Sequence, residues 1–243
     1  DVQIAQVREE LGLNDPFIVQ LTNYLKDLIR LDFGKSYFSG LPVRDELANR
    51  FPNTLMLTFF CVSFSVVVGI PIGIRCALKA DQLSDRVWLF ITLLCNSMPG
   101  FWMALMLVLL FSRQLGLLPS SGIGGPEYFI LPVLANSLGS LAGIARQTRA
   151  SLLEVIRADF VSTAKSKGIS QRDVIWKHAL PNALIPIITV IGGSFGMMLG
   201  GATITESIFS IPGIGLYMMS GINNRDYPVV RGCIIYIAFM FAV

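Results

Sequence analysis

Phe51–Ile74 reads FPNTLMLTFFCVSFSVVVGIPIGI, with Arg50 before it and Arg75 after it. None of these 24 residues carries a charge. A helix rises about 1.5 Å per residue, so about 20 apolar residues cross the roughly 30 Å of hydrocarbon in a bilayer. The stretch is therefore long enough to span a membrane. A helix in a large soluble core keeps a polar stripe, and no such stripe is evident here.

The same pattern recurs outward from it. Residues 87–112, 128–145 and 178–205 are also free of Asp, Glu, Lys and Arg. Residues 232–243 are uncharged too, and read as the first half of a further span. The 243-residue chain is 53% hydrophobic and only 14% charged, with a mean hydropathy of +0.63. A soluble domain carries about 25% charged residues. The expected fold is thus all-α, a polytopic transmembrane bundle with five visible spans: 52–78, 87–112, 129–145, 182–205 and one from 229 onward. The domain division follows, with a polar segment 1–50 and a membrane domain 51–243. Within 1–50, Phe17, Leu21, Tyr24, Leu25 and Leu28 have helical spacing.

The charges lie between the spans, and their signs orient the chain. Segment 146–181 carries seven Lys and Arg against three acids, and 75–86 carries Arg75, Lys79 and Arg86. The alternate loops, 113–128 and 206–228, carry only Arg113 and Arg225. Basic residues stay on the cytoplasmic side. So 75–86 and 146–181 are expected inside, and 1–50, 113–128 and 206–228 outside. An outer segment 1–50 calls for a preceding span, as the abrupt polar start also does. The net charge of +3 gives no argument for nucleic acid. Cys61, Cys76, Cys95 and Cys233 fit no zinc or redox spacing, and read as small apolar residues.

The central basic segment holds most of the remaining information. Asp159–Lys167 reads as a short helix, ended by Gly168 in a left-handed conformation. Ser170 with Asp173 is a capping box for a second helix running to Leu180. Two short helices about a glycine, tied to a span by Leu180-Pro181, form a stiff knob suited to a groove on a cytoplasmic partner. On charge alone, an ordinary basic loop that only fixes topology explains the segment as well.

The spacing resembles the EAA loop of ABC importer permeases: E-A-A, three residues, Gly, nine residues, Ile, one residue, Leu-Pro. Here Ser162, Thr163 and Ala164 stand at the E-A-A place, Gly168, Leu180 and Pro181 match, and His178 takes the isoleucine place. The Glu is absent, so no salt bridge is carried over for it. Thr163, Ala164, Lys167 and Gly168 follow the T-A-x-x-K-G form of the dipeptide, oligopeptide and nickel branch. Leu11-Gly12-Leu13-Asn14-Asp15-Pro16, the L-D-F-G stretch from Leu31 with Ser36, and Glu206, Phe209, Pro212, Gly213 and Gly215 of an E-x-x-F-x-x-P-G-x-G motif resemble that branch too. So does the closing Asn224-Arg225-Asp226-Tyr227-Pro228.

The resemblance implies six spans in the complete chain, located in a bacterial inner membrane in contact with lipid. It implies a second, similar permease and two cytoplasmic ATPases docked on the 159–181 loops. It also implies a periplasmic or lipid-anchored substrate-binding protein outside. ATP-Mg would sit in the ATPase subunits, with no cofactor or metal in this chain and no nucleic-acid partner. The expected cargo is a peptide, nickel or a metal chelate. Coupling falls to Ser162, Thr163, Ala164, Lys167, Gly168, Ile169, Leu180 and Pro181. The outer-loop motif is Glu206, Pro212, Gly213, Gly215, Arg225, Asp226 and Tyr227.

Several features stay open between structure and function. Asn96, Ser97 and Pro99 lie mid-span, as a kink or as the polar lining of a path. Asn136 is equally ambiguous. Gly192, Gly196 and Gly200 can bring helices close, within the subunit or toward a partner. Ser194 sits in a G-x-S-x-G string, the pattern of a serine nucleophile. His178, the one histidine, lies 16 residues earlier, roughly 24 Å along one helix, so protease chemistry is not expected and Ser194 is grouped with the path. Gly34-Lys35-Ser36 mimics the end of a P-loop, but Ile29 replaces its first glycine, so this chain is not expected to bind ATP. An ion-coupled secondary transporter is the alternative. Against it, the mid-span regions lack the charge such transporters usually carry.

Overall fold

The computed structural model describes residues 14–242. Leu11–Leu13 of the L-G-L-N-D-P string lie outside them.

Helix α1 (Phe17–Ile29) follows the expected spacing. It fully buries none of its residues; Leu28 packs against the Phe33–Val43–Leu47 cluster, and the Tyr24 ring centroid lies 5.0 Å from the Arg231 guanidinium. A tight loop at 34–43 follows, closed by Val43 N donating to Gly34 O (3.0 Å) and Ser36 N donating to Leu41 O (2.9 Å).

Helix α2 (Val43–Leu78) starts well before the expected 52. Asp45 and Glu46 in its first turn suit the positive end of a helix dipole. The charges up to Arg50 thus do not mark the start of the helix. The division drawn at residue 50 falls inside this helix. Pro52 and Pro71 sit within it, as transmembrane helices tolerate.

The expected second span is broken. Helices α3 (Leu83–Ser97) and α4 (Gly100–Leu107, continuing as a π turn over Val108–Gln114) meet at 98°. Met98 is extended (φ −85°, ψ 131°) and Pro99 caps α4. A residue before proline is pushed out of the helical region, so the kink expected at Pro99 becomes a corner.

Helix α5 (Glu127–Ile156) runs past the expected end at 145, so Arg146 and Arg149 are helical. The 146–181 loop therefore begins as the end of a span. After α6 (Asp159–Ser166), the chain turns through Gln171–Asp173 and a π turn at Val174–Ala179. It then passes without a break into α7 (Leu180–Gly201). No boundary forms at Leu180-Pro181. The wide turn accommodates the ring of Pro181 and its missing N–H, and Asn182 Nδ2 donates to the His178 carbonyl just before it (2.7 Å). The expected outer loop 206–228 contains α8 (Thr203–Phe209) and α9 (Ile214–Asn223), and α10 (Tyr227–Ala242) follows.

The α2–α5 crossing is close. A Cβ on Gly73 would lie 2.5 Å from Ala145 O and from Thr148 Cβ, and one on Gly69 would lie 3.1 Å from Leu141 O. These two glycines, four residues apart, let the backbones approach as membrane helices need. Leu57, Cys61 and Leu131 pack with Phe209 and Ile211 at one end. Ile74, Leu152, Val161 and Val174 pack at the other. A third cluster joins Phe33, Val43 and Leu47 to Ile214, Val229 and Cys233. Many other apolar residues face outward. Phe59, Val67, Ile188 and Phe239 are all more than half exposed, and only 33% of the most apolar window of α2 is buried. That surface is suited to lipid. Among the described residues, three helices are long and apolar enough to cross a bilayer, and the bent pair makes a fourth.

Candidate functional site

The knob at 159–181 has two faces. Val161 and Ala164 on α6, with Val174, Ala179 and Leu180 beyond it, are buried against Ile74, Ala77 and Leu152. The knob is therefore seated on its own bundle by its inner face, and does not project freely as a protrusion. Of the expected coupling residues, Ala164 and Leu180 are anchors, and Ile169 is half-buried beside them. Ser162, Thr163, Lys167, Gly168 and Pro181 are exposed.

Local chemistry fixes the turn between the faces. Gly168 has φ +78°, and Ile169 N donates to Ala164 O (3.3 Å), the long bond of a Schellman cap. Ser170 Oγ accepts from Asp173 N (3.2 Å), the first half of the predicted capping box, and donates to Asp173 Oδ2 (2.8 Å). Phe160 (46% exposed) and Trp176 (55% exposed) also leave the knob outward. Charge reading missed both. The helical register held the signal, because Val161 and Ala164 facing inward leave Phe160 outward.

At the opposite end of the bundle, Glu206 is fully buried. Thr54 Oγ1 donates to its Oε1 (2.6 Å), and Leu216 N donates to Oε2 (3.0 Å). Thr54 Oγ1 in turn accepts from Ile214 N (2.9 Å), and Asn53 Nδ2 donates to Pro212 O (2.9 Å). The Pro212-Gly213-Ile214-Gly215 turn thus wraps the carboxylate. A Cβ on Gly213 would fall 2.3 Å from the carboxyl carbon, and one on Gly215 would fall 2.4 Å from Thr203 Cα. This is why the motif spaces its glycines around the acid. Burial pushes the Glu206 carboxyl above its usual range, against the pull of Thr54 and the Leu216 and Gly215 amides.

Asp226, 2% exposed, sits nearby. Its Oδ2 accepts from Ser36 Oγ (2.5 Å) and Phe38 N (3.2 Å), which pins the 34–43 loop to the start of α10. Burial works against its charge, but Ser36 and the amides of Phe38, Tyr37 and Val229 outweigh it and hold the carboxyl below its usual range. Arg225 takes a left-handed φ of +55° in the same corner, and Tyr227 is 73% exposed.

A family model described as "binding-protein-dependent transport system inner membrane component" matches residues 69–243. The chain belongs to that family. The dipeptide transport system permease protein DppB of Alkalihalophilus pseudofirmus is 40% identical over 268 residues, covering 99% of this chain and 80% of the relative. The glutathione transport system permease protein GsiC of Escherichia coli (strain K12) is 37% identical over 242 residues, covering 99% and 79%. An inward-facing structure of the MetNI methionine ABC transporter shares the fold, with a TM-score of 0.66 at 18% identity over 81% of this chain and 89% of that one. An amino acid ABC transporter matches with a TM-score of 0.59 at 20% identity, over 82% and 89%. The resemblance and the helical fold read from the sequence hold. This is the permease subunit of an ABC importer, an inner-membrane component, and the ion-coupled alternative finds no support.

Within the permease, the residues grouped as a path lie on α3 and the corner after it, on α5 and on α7. Asn96, Ser97 and Pro99 are exposed at the 98° corner, with Ser97 Oγ donating back to Leu93 O (2.8 Å). Asn136 is half-buried and turns toward Cys61, its Nδ2 3.9 Å from the sulfur. Ser194 Oγ donates to Val190 O (2.8 Å) in its own helix. Gly196 and Gly200 face Phe241 and Ile237 of α10, whereas Gly192 faces open space. Most of the glycine stripe is therefore internal packing.

A further pair escaped charge reading. Arg149 grips Asp85 with two hydrogen bonds, Nε to Oδ1 (2.8 Å) and Nη2 to Oδ2 (2.7 Å), and Asp85 is 1% exposed. The Asp81 amide caps the same carboxylate (3.0 Å). Sequence spacing does not bring these residues together, since 64 positions separate them.

Proposed function

We propose that this permease carries short peptides inward, coupled through the outer face of the 159–181 knob to ATPase subunits. The full-length likeness to dipeptide and glutathione permeases supports the cargo class over nickel or a metal chelate. The knob carries the coupling reading, with a buried inner face and an outer face of Phe160, Thr163, Lys167, Gly168 and Trp176. Aromatic residues in a well-supported patch are the usual anchors of protein contacts. Seated on Ile74 and Leu152, the knob passes a push directly to α2 and α5.

In this reading the basic end lies in the cytoplasm, and the end bearing Glu206 and Asp226, with residues 14–50, lies outside. A second permease completes the pathway past the α3–α4 corner. ATP-Mg binds in the two ATPase subunits and not in this chain, and a binding protein delivers cargo to the outer end.

Gly168→Pro tests the coupling in the reconstituted complex. Proline fixes φ near −65°, which φ +78° forbids. The expected result is retained membrane assembly, retained basal ATP hydrolysis and loss of dipeptide uptake. Normal uptake by the variant overturns the coupling role. Nickel uptake without peptide uptake by the wild type overturns the cargo class.

A further inference from the structure

Helix α1 has a broad apolar side, and only one edge of it is packed. At 3.6 residues per turn, Tyr24 and Leu28 fall on one edge, and Ile18, Leu21, Leu25 and Ile29 form a row beside them. The first edge meets the protein: Leu28 joins the Phe33–Val43–Leu47 cluster, and Tyr24 lies against Arg231. The row beside it is exposed, with Ile18 at 69% and Ile29 at 84%. Asn23, Lys26 and Asp27 take the opposite, polar side. A contiguous row of large aliphatic side chains marks a surface that something covers.

Helix α10 says what covers it. Arg231 lies about one turn into α10, which starts at Tyr227 and then presents Ile234, Phe239 and Phe241 to the exterior. Those residues belong to the surface suited to lipid. A cavity of about 350 Å³ separates the two helices, and its lining includes Tyr24, Tyr37, Tyr227, Arg231, Ile234 and Ile235. Helix α1 therefore sits beside the point where the apolar exterior of α10 begins, and the cavity joins the two surfaces. Tyrosine rings gather at the level of lipid headgroups, and an arginine there keeps its head among polar groups and its stem along apolar ones. Arg231 suits that level. Its Nη2 donates to Phe33 O (3.4 Å), no acid lines the cavity, and no carboxylate pairs with it among the described residues. With 13 residues, α1 is too short to cross the hydrocarbon, but an amphipathic helix of this kind lies along the boundary.

We infer that α1 lies in the membrane–water interface, with Ile18, Leu21, Leu25 and Ile29 among phospholipid acyl chains and Asn23, Lys26 and Asp27 toward water. This placement is independent of coupling and cargo, and it holds on whichever side of the bilayer this end of the bundle lies. Through Leu28 and Phe33 it ties the 34–43 corner to the bilayer surface.

The test uses the complete transporter in nanodiscs of phosphatidylethanolamine and phosphatidylglycerol. A benzophenone amino acid replaces Ile18, Leu25 or Asn23, one at a time, and mass spectrometry identifies the adducts formed on illumination. Basal ATP hydrolysis reports that each variant is assembled. Positions 18 and 25 should give acyl-chain adducts at least about five times more often than position 23, because apolar burial holds that side in the acyl layer. Equal lipid yield at all three positions overturns the orientation. Adducts from 18 and 25 to the binding protein, to the second permease or to residues 1–13 overturn the placement, since the row is then a protein contact. So does a lack of lipid adducts at 18 and 25. None of these results bears on coupling, which Gly168→Pro tests separately.

Discussion

Glu206 shows how one carboxyl organises a motif that sequence can only spell. Its partners, Thr54 and the Leu216 amide, come from a distant helix and from the turn that encloses it. Glu206→Ala leaves both buried donors unmet. The expected loss is about 2 kcal/mol, within the usual range for orphaned buried groups, read as a lower thermal midpoint in detergent. The pH dependence has a definite sign. Burial raises the folded value above the ordinary 4.5, so the native state holds the proton more tightly than the unfolded chain. This contribution is full below 4.5 and is lost as pH rises through the raised value. The thermal midpoint should therefore fall across that window, and Glu206→Gln should flatten the decline. Asp226 acts in reverse: its folded value lies below 3.8, so its stabilisation is present above 3.8 and fades as pH drops through the folded value. The E-x-x-F-x-x-P-G-x-G spacing was legible in the sequence. Its reason, two glycine positions that leave no room for a Cβ, needed three dimensions.

Among the helices, lengths were the least legible feature. Charges at Arg50 and Arg146 read as span ends, yet α2 and α5 continue through them because a helix does not stop where hydrocarbon does. The α3–α4 corner was foreseen as a bend at Pro99, but its 98° depends on Met98 being extended, which sequence only hints at. Gly69 and Gly73 carry the same spacing as the stripe in α7, and Gly73 makes the closer contact. Gly73→Leu should block the α2–α5 crossing and abolish the monodisperse peak in size-exclusion chromatography. Gly143→Leu, on α5 with open space before it, should leave that peak in place. The Asp85–Arg149 pair joins α3 to α5. Asp85→Ala should cost about 3 kcal/mol, since it strands its partner's charge. The exchanged pair, Asp85→Arg with Arg149→Asp, should recover part of the lost thermal midpoint.

For the molecule as a whole, the all-α membrane class followed from uncharged runs alone, because lipid tolerates little else. The knob's site was legible from Gly168, Ser170 and Asp173. Its seating on Ile74 and Leu152 was not, since those residues come from α2 and α5. The apolar exterior makes a measurable claim about depth. Trp102 on α4 is 41% exposed within the apolar region, whereas Trp176 is 55% exposed on the knob. In single-tryptophan variants, brominated lipids should quench Trp102 strongly and Trp176 weakly. Equal quenching would place the knob at membrane depth and count against its docking role.

The wide turn at Val174–Ala179 stores one surplus residue in an otherwise continuous rod from Gln171 to Gly200. Such slack is a gear tooth. If it were taken up into ordinary α spacing, everything on one side would rotate by roughly 100° relative to the other. A small displacement near Gly168 would then arrive deep in the bilayer as torsion, and spin labels at positions 172 and 190 would register the twist as a change in their separation.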